Sequence, residues 1–333
     1  MLGALTMLAL APVSATARPG TQPEPIVIIA GANFTCEDGG SQLANLPALV
    51  QETYTNGVRS DAAYKWGKTP LPAGWVSMFT KADGYDKCLN FMRQARKLSD
   101  HLTLKIAQLN ASRPAGLDPI TKVDIVGISA GSLVSRACIA NAGRENPETA
   151  TPGCAALVDD WVGVVPPSHG STSPGSIGCP WTSVTLCPAI NPISDFQRKL
   201  NERYNGVVAD QMGLGDETPQ VASPTPIEYT TLWAGNDGLI TPAASAALWG
   251  AGNYRVESVV NGTVTQATHN NMLGNSLCKG SLAYEASGTW EWIVYELLDV
   301  PTHFAFGEES PRQLATPIAP SSFLTCSQAP PGL

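Results

Sequence analysis

Several things the chain is short of narrow what it can be. Charged residues make up only 14% of the 333, and 20 Lys and Arg face 28 Asp and Glu, for a net charge of -8. Without a basic stripe there is no electrostatic footprint for nucleic acid, and none is expected as a partner. No apolar run reaches the roughly 20 residues a membrane-spanning helix needs, which argues against stable membrane insertion. Neither C-x-x-C nor H-E-x-x-H spacing occurs, so no metal site is expected, and no internal repeat is visible. Histidine is scarce as well: His101, His169, His269 and His303 complete the set. Any chemistry that needs an imidazole must draw on these four.

What is present fits one large domain. A chain of this length with 43% hydrophobic content buries most of its unfolded-state surface. Its first residues, MLGALTMLALAPVSATARPG, give an uncharged apolar run closing on Ala15, Thr16 and Ala17 ahead of Arg18, the small-x-small pattern of a secretory cleavage site. Residues 1–17 are therefore expected to be a signal peptide, and residues 18–333 a single secreted domain, extracellular or periplasmic. The eight cysteines agree with export, since they read as disulfides. Proximity favours Cys138 with Cys154 and Cys179 with Cys187 among many possible pairings.

The hydrophobic rhythm predicts alternating strands and helices. IVII at residues 26–29 is a continuous β-branched run of the kind that strands buried on both faces show. Leu89, Met92, Leu98, Leu102, Ile106 and Leu109 recur at mostly helical spacing, which predicts a helix over residues 85–110 with His101 on its surface. A strand at 123–128, a helix to about residue 141, and the strand WVGVVPP follow. IEYTTLWAGNDG and YRVESVVNGTV read as one strand each, and GTWEWIVYELLDV as a last helix. These features predict an α/β fold with a mostly parallel central sheet. Residues 168–226 are polar and rich in Gly and Pro, open either to a lid or acyl-binding excursion or to an ordinary one; residues 311–333 read as a loop-like tail.

One stretch carries chemistry. In VDIVGISAGSLVSR, residues 123–136, Gly127, Ser129 and Gly131 form G-x-S-x-G between a predicted strand and a predicted helix. That setting is the nucleophile elbow, in which a tight turn holds the serine hydroxyl exposed and small neighbours avoid clashes. A serine hydroxyl needs a base, and the base needs a carboxylate to hold its tautomer. In this type of site the order along the chain is Ser, acid, His. His101 precedes the serine, and His169 follows it too closely to leave room for the acid's strand. His303 lies beyond the last helix. His269, in TQATHNNML after a strand candidate, is the expected base. Asp237, on the turn-forming Asn-Asp-Gly directly after a predicted strand, is the expected acid; Asp210 and Asp216 have no strand before them.

In sum the chain resembles the secreted α/β-hydrolase lipases and esterases. The likeness rests on the strand and Gly31 loop at 26–32, the Ser129 elbow, VPPSHGS, GNDGLITP and the His269 loop, in that order over about three quarters of the chain. The resemblance implies an α/β-hydrolase fold with helices on both faces of the sheet. Ser129, Asp237 and His269 would be nucleophile, acid and base, and the N–H groups of Ala32 and Ala130 would form an oxyanion hole. It implies an ester substrate, small or lipid, with no cofactor and a monomeric enzyme. Ala30 and Ile128 depart from residues common in that family. Trp181, Val184, Leu186, Ile190, Ile193 and Phe196 are the expected acyl-binding wall. Acyl transfer, short-chain esterase activity and a non-catalytic protein of the same fold are the alternatives. Sequons stand at Asn33, Asn110 and Asn261.

Overall fold

The computed structural model describes residues 24–31, 73–80, 83, 91–140, 154–172, 189–201, 217–218, 226–248, 250–260, 263–266, 268–269 and 272. Within these, the first strand, β1 (Ile26–Ile29), is followed by β2 (Val76–Met78), α1 (Phe91–Ala111), β3 (Val123–Ile128) and α2 (Ala130–Ala140). Then come β4 (Val158–Val164), α3 (Asp195–Asn201), β5 (Glu228–Ala234), β6 (Gly252–Val260) and β7 (Thr263–Gln266). Short 3₁₀ turns occupy Cys154–Leu157 and Ala243–Ala246.

Among the described residues the sheet has seven strands in the order β2-β1-β3-β4-β5-β6-β7, parallel from β2 to β6 and closed by an antiparallel β6–β7 pair. The chain leaves β1 for β2 on one side and returns to β3 on the other. The direction of winding therefore reverses between β1 and β3. In open α/β sheets such a reversal leaves a crevice outside the carboxyl ends of the two strands, where ligands bind.

Periodicity explains the helices. On α1 the buried Phe91, Ala95, Leu98, Leu102 and Leu109 keep spacings of three, four and seven, so one stripe faces the sheet. With α2 and α3 they cover the sheet face carrying Val27, Ile29, Val123, Ile125, Trp161 and Tyr229. The opposite face is equally dry: Ile26, Ile28, Val126 and Ile128 are fully buried. Burial on both faces is why the strand sequences run apolar without alternation. The described helices lie on the first of these faces, and the last expected helix falls outside the described residues.

Four differences from the sequence reading have physical causes. VSM at β2, the outermost strand among the described residues, is too short to show a period. YRVESVVNGTV is two strands: β6 and β7 pair in register from Val260 with Thr263 to Glu257 with Gln266, flanking an Asn-Gly dipeptide that favours hairpin turns. His101 is not on the surface; its ring packs 5.1 Å from that of Phe79, and its Nδ1 lies 3.4 Å from Asp83 Oδ1. Finally, Ile190 is buried in the domain core and Phe196, partly buried, packs against it with its ring 4.9 Å from that of Phe91, so both have packing roles. Ile193 is 88% exposed, while Trp181, Val184 and Leu186 lie outside the described residues.

Cys138 and Cys154 form a disulfide that ties the end of α2 to the entry of β4. Cys179 and Cys187, like the remaining cysteines, lie outside the described residues. Asn110 clamps the backbone of Ile120, donating to its carbonyl and accepting from its N–H, each at 2.8 Å, so this sequon asparagine has a structural role at the end of α1.

Candidate active site

The flanking glycines of the elbow are required by space. A Cβ on Gly131 would collide with the carbonyl oxygens of Ile29 and Ala30, because the first turn of α2 rests on the end of β1. A Cβ on Gly127 would lie 2.7 Å from Ser132 Cα and 2.9 Å from Ser135 Oγ. The two glycines let the helix start close enough to the sheet for a one-residue turn. That residue is Ser129, at φ +49°, a left-handed conformation that costs a non-glycine residue energy. Its N–H bonds to the Val164 carbonyl at 2.8 Å, and its carbonyl accepts from the Ser132 N–H at 3.0 Å, which holds the turn in place.

The acid comes from the end of β5. Asp237 lies three residues past that strand, and its Oδ1 accepts the N–H groups of Leu239 and Ile240, both at 2.8 Å. With one oxygen anchored in this turn, Oδ2 is aimed at His269 Nδ1, 2.8 Å away. His269 Nε2 in turn lies 3.1 Å from Ser129 Oγ. The structure thus brings together three residues separated by up to 140 positions. The side chains of Asp237 and His269 are 3% and 5% exposed.

Partner chemistry assigns the tautomer. A carboxylate at Nδ1 accepts, so Nδ1 carries the proton, and Nε2 keeps a lone pair for the serine hydroxyl. His169 stands in a different setting. Its Nδ1 faces the Ser245 carbonyl at 3.1 Å and its Nε2 faces Glu217 Oε1 at 3.0 Å, so neither nitrogen is offered to a nucleophile. His303 lies outside the described residues, as do Asp210 and Asp216.

Of the expected oxyanion donors, Ala130 is described. It opens α2, and the first N–H groups of a helix have no partner within the helix while the helix dipole favours negative charge there. Ala32 lies outside the described residues. Its neighbour Gly31 faces the elbow so closely that a Cβ there would lie 2.9 Å from Ser129 Cβ and 3.6 Å from its Oγ. The loop after β1 and the turn after β3 therefore meet at the crevice made by the reversal of winding.

A parallel sheet, a G-x-S-x-G turn from strand into helix, an acid turn after a later strand and a histidine after that make up one known architecture. The chain has an α/β-hydrolase fold.

No protein-family model matches the chain, and no curated protein matches it. Solved structures do, at low identity. The chain is similar to lipase B of Aspergillus fumigatus, at 15% identity and a TM-score of 0.43, over 90% of this chain and 60% of that one. It is also similar to the phospholipase PlaB of Legionella pneumophila, at 13% identity and a TM-score of 0.48, over 83% of this chain and 60% of that one. A third is the mature lipase BlEst2 of Bacillus licheniformis, at 12% identity and a TM-score of 0.39, over 72% of this chain and 84% of that one. The chain spans less than two thirds of the length of the first two.

Residues around the site that the sequence reading missed centre on Arg136. It is fully buried on α2, and its guanidinium donates to the Ser168 carbonyl at 3.3 Å, Asn201 Oδ1 at 2.9 Å and the Glu217 carbonyl at 3.0 Å. Burial pushes it down to about 10, partly offset by the Glu217 charge, so it remains a cation at neutral pH. The signal was a lone charge in AGSLVSRACIA, a helix otherwise built of small and apolar residues. Separately, Glu24, Asp124 and Asp159 gather their carboxylates within 4.8 Å of one another, with Lys122 Nζ 2.8 Å from Asp159. Glu24 and Asp124 lie at the entries of β1 and β3, away from the strand ends that carry Ser129 and Asp237. There Glu24 is raised by burial and by the Asp159 charge. Among the described residues no helix is long and apolar enough to cross a membrane.

Proposed function

We propose that the protein is a secreted serine hydrolase of carboxylic esters, with lipid-type acyl esters as its substrates. The observation that carries this reading is the run of contacts from Asp237 Oδ2 to His269 Nδ1 and from His269 Nε2 to Ser129 Oγ, at 2.8 and 3.1 Å. The candidate lipid substrate rests on the sequence resemblance.

The chemistry follows from the hydrogen-bond polarity. Ser129 Oγ attacks the ester carbonyl as His269 Nε2 takes its proton, and Asp237 stabilises the imidazolium without taking a proton itself. The carbonyl oxygen becomes an oxyanion at the start of α2, where the Ala130 N–H, with that of Ala32, would receive it. Preorganised donors of this kind have contributed about 3–4 kcal/mol each where one was removed. The tetrahedral species collapses, the C–O bond to the alcohol breaks, and the imidazolium protonates the leaving alkoxide. Water then gives a proton to His269 and attacks the acyl group, which leaves as the acid while Ser129 regains its proton. No step calls for a cofactor.

The test is labelling with a fluorophosphonate ester followed by peptide mapping. Adduct on Ser129 is expected, and Ser129→Ala should lose ester hydrolysis by on the order of 10⁶ in rate with an unchanged circular dichroism spectrum. An adduct on another serine, or full activity in Ser129→Ala, would overturn the reading.

A further inference from the structure

Beside the elbow lies a second buried histidine that this chemistry does not use. We propose that His169 is a positioning residue, which locks the turn carrying Asp237 to the helix that follows Ser129. The inference rests on the hydrolase reading above and assigns the residue that holds its acid in register.

The connection can be traced bond by bond. Arg136, seven residues beyond Ser129, donates to the Ser168 carbonyl, and Asn201 Nδ2 donates to the same oxygen at 2.9 Å. Residues 168–172 are thereby fixed to α2 and α3. The same residues are zipped to the acid turn on their other side. The His169 N–H bonds to the Ser245 carbonyl at 3.0 Å, and Ser245 Oγ donates to the Gly170 carbonyl at 2.8 Å. Ser171 Oγ donates to the Leu239 carbonyl at 2.8 Å and accepts from the Thr241 N–H at 3.1 Å. Leu239 is the last link, since its own N–H binds Asp237 Oδ1.

His169 stands where these links cross. Its two ring nitrogens face two oxygens, the Ser245 carbonyl and the Glu217 carboxyl, and a carbonyl can only accept. Nδ1 must therefore donate, and the Nε2 contact forms only if a proton sits between Nε2 and Oε1. The Glu217 side chain has no exposure, and the neighbouring Arg136 charge makes it the counter-ion of a buried cation. Removing one member of such a buried polar cluster is costly. Loss of the His169 ring removes one of the two bonds to the Ser245 carbonyl, the other coming from the His169 N–H, and removes the imidazole contact of Glu217, on the side of residues 168–172 that carries the acid turn.

Because His169 acts through Asp237, the decisive measurement is a double-mutant cycle on a soluble p-nitrophenyl ester. His169→Ala should lower kcat by about 10- to 100-fold, the scale of a displacement of about 1 Å in a reacting group, with KM within about threefold of the parent. In the Asp237→Asn background the same change should cost less than about threefold, because the carboxylate it positions is already gone. His169→Asn, which keeps a donor toward Ser245, should recover part of kcat. Should His169→Ala fail to fold, His169→Asn is read in the same two backgrounds, and its smaller loss should show the same lack of additivity. An unchanged kcat, or an equal loss in both backgrounds, would overturn the inference and make His169 merely structural. Fluorophosphonate labelling of Ser129 in the parent protein keeps the outcomes apart: its absence sinks the hydrolase reading, whereas its presence beside additive losses sinks only the role of His169.

Discussion

At the scale of single residues, two histidines of one chain are separated by what faces their nitrogens. His269 has an acceptor on one side and a hydroxyl on the other, which leaves a lone pair available; His169 has an acceptor on each side. The tautomer of His269 therefore depends on Asp237. In Asp237→Asn the amide can donate to Nδ1 and stabilise the opposite tautomer, with the proton on Nε2, where it cannot take one from Ser129. The expected result is a fall in kcat of about 10⁴ with the fold intact, measured on a soluble ester. Activity close to the parent would show that the contact between Asp237 and His269 has no part in the reaction. The order Ser, Asp, His and the turn residues around Asp237 were readable along the chain, because loops at strand ends announce themselves by Gly, Asn and Asp. The role of His169 was not, since it depends on Ser245 and Glu217, 76 and 48 positions away.

Among the elements, α1 shows how packing overrides a surface assignment. Its stripe of Phe91, Ala95, Leu98 and Leu102 follows the period, but the helix also meets the residues after β2, a strand too short to show a period. His101 is caught in that contact, and among the described residues its buried Nε2 has no hydrogen-bond partner. Burial pulls His101 below its ordinary value of 6.5; Asp83 pulls it the other way with smaller effect. In the window below 6.5 the unfolded chain then binds more protons at this site than the folded one, so stability falls as pH falls. His101→Gln should flatten the pH dependence of the urea midpoint between about pH 7.5 and 5.5, around the ordinary histidine range. An unchanged slope in the variant would assign that dependence to other groups. Asp83 is shifted low by its Thr80 hydrogen bonds and the nearby cations, which outweigh its burial, and so adds stability that is lost only in stronger acid.

For the molecule as a whole, the winding of the sheet places the candidate site. Reversal between β1 and β3 opens a crevice at their carboxyl ends, and Gly31, Ser129 and Asp237 all lie on loops that leave that end of the sheet. Substrate preference belongs to this scale as well, since it depends on what walls the crevice. Each buried CH₂ of a fitting acyl chain adds roughly 0.8 kcal/mol. A lipid-type site should therefore raise kcat/KM from p-nitrophenyl acetate toward octanoate, with dispersion of the longer esters controlled. A steady fall beyond butyrate would leave a short-chain esterase and overturn the lipid-type reading.

The amino-acid sequence by itself determined the α/β class, the strand that leads into Ser129 and the candidates for acid and base, because those depend on local period, turn chemistry and chain order. Tertiary structure alone decided which histidine meets the serine, why Gly127 and Gly131 admit no side chain, and where the lone arginine of α2 finds its partners. Each of these is a contact between segments far apart along the chain. Such contacts leave no periodic trace in sequence, because they are set by the register of parallel strands and by the close approach of backbones.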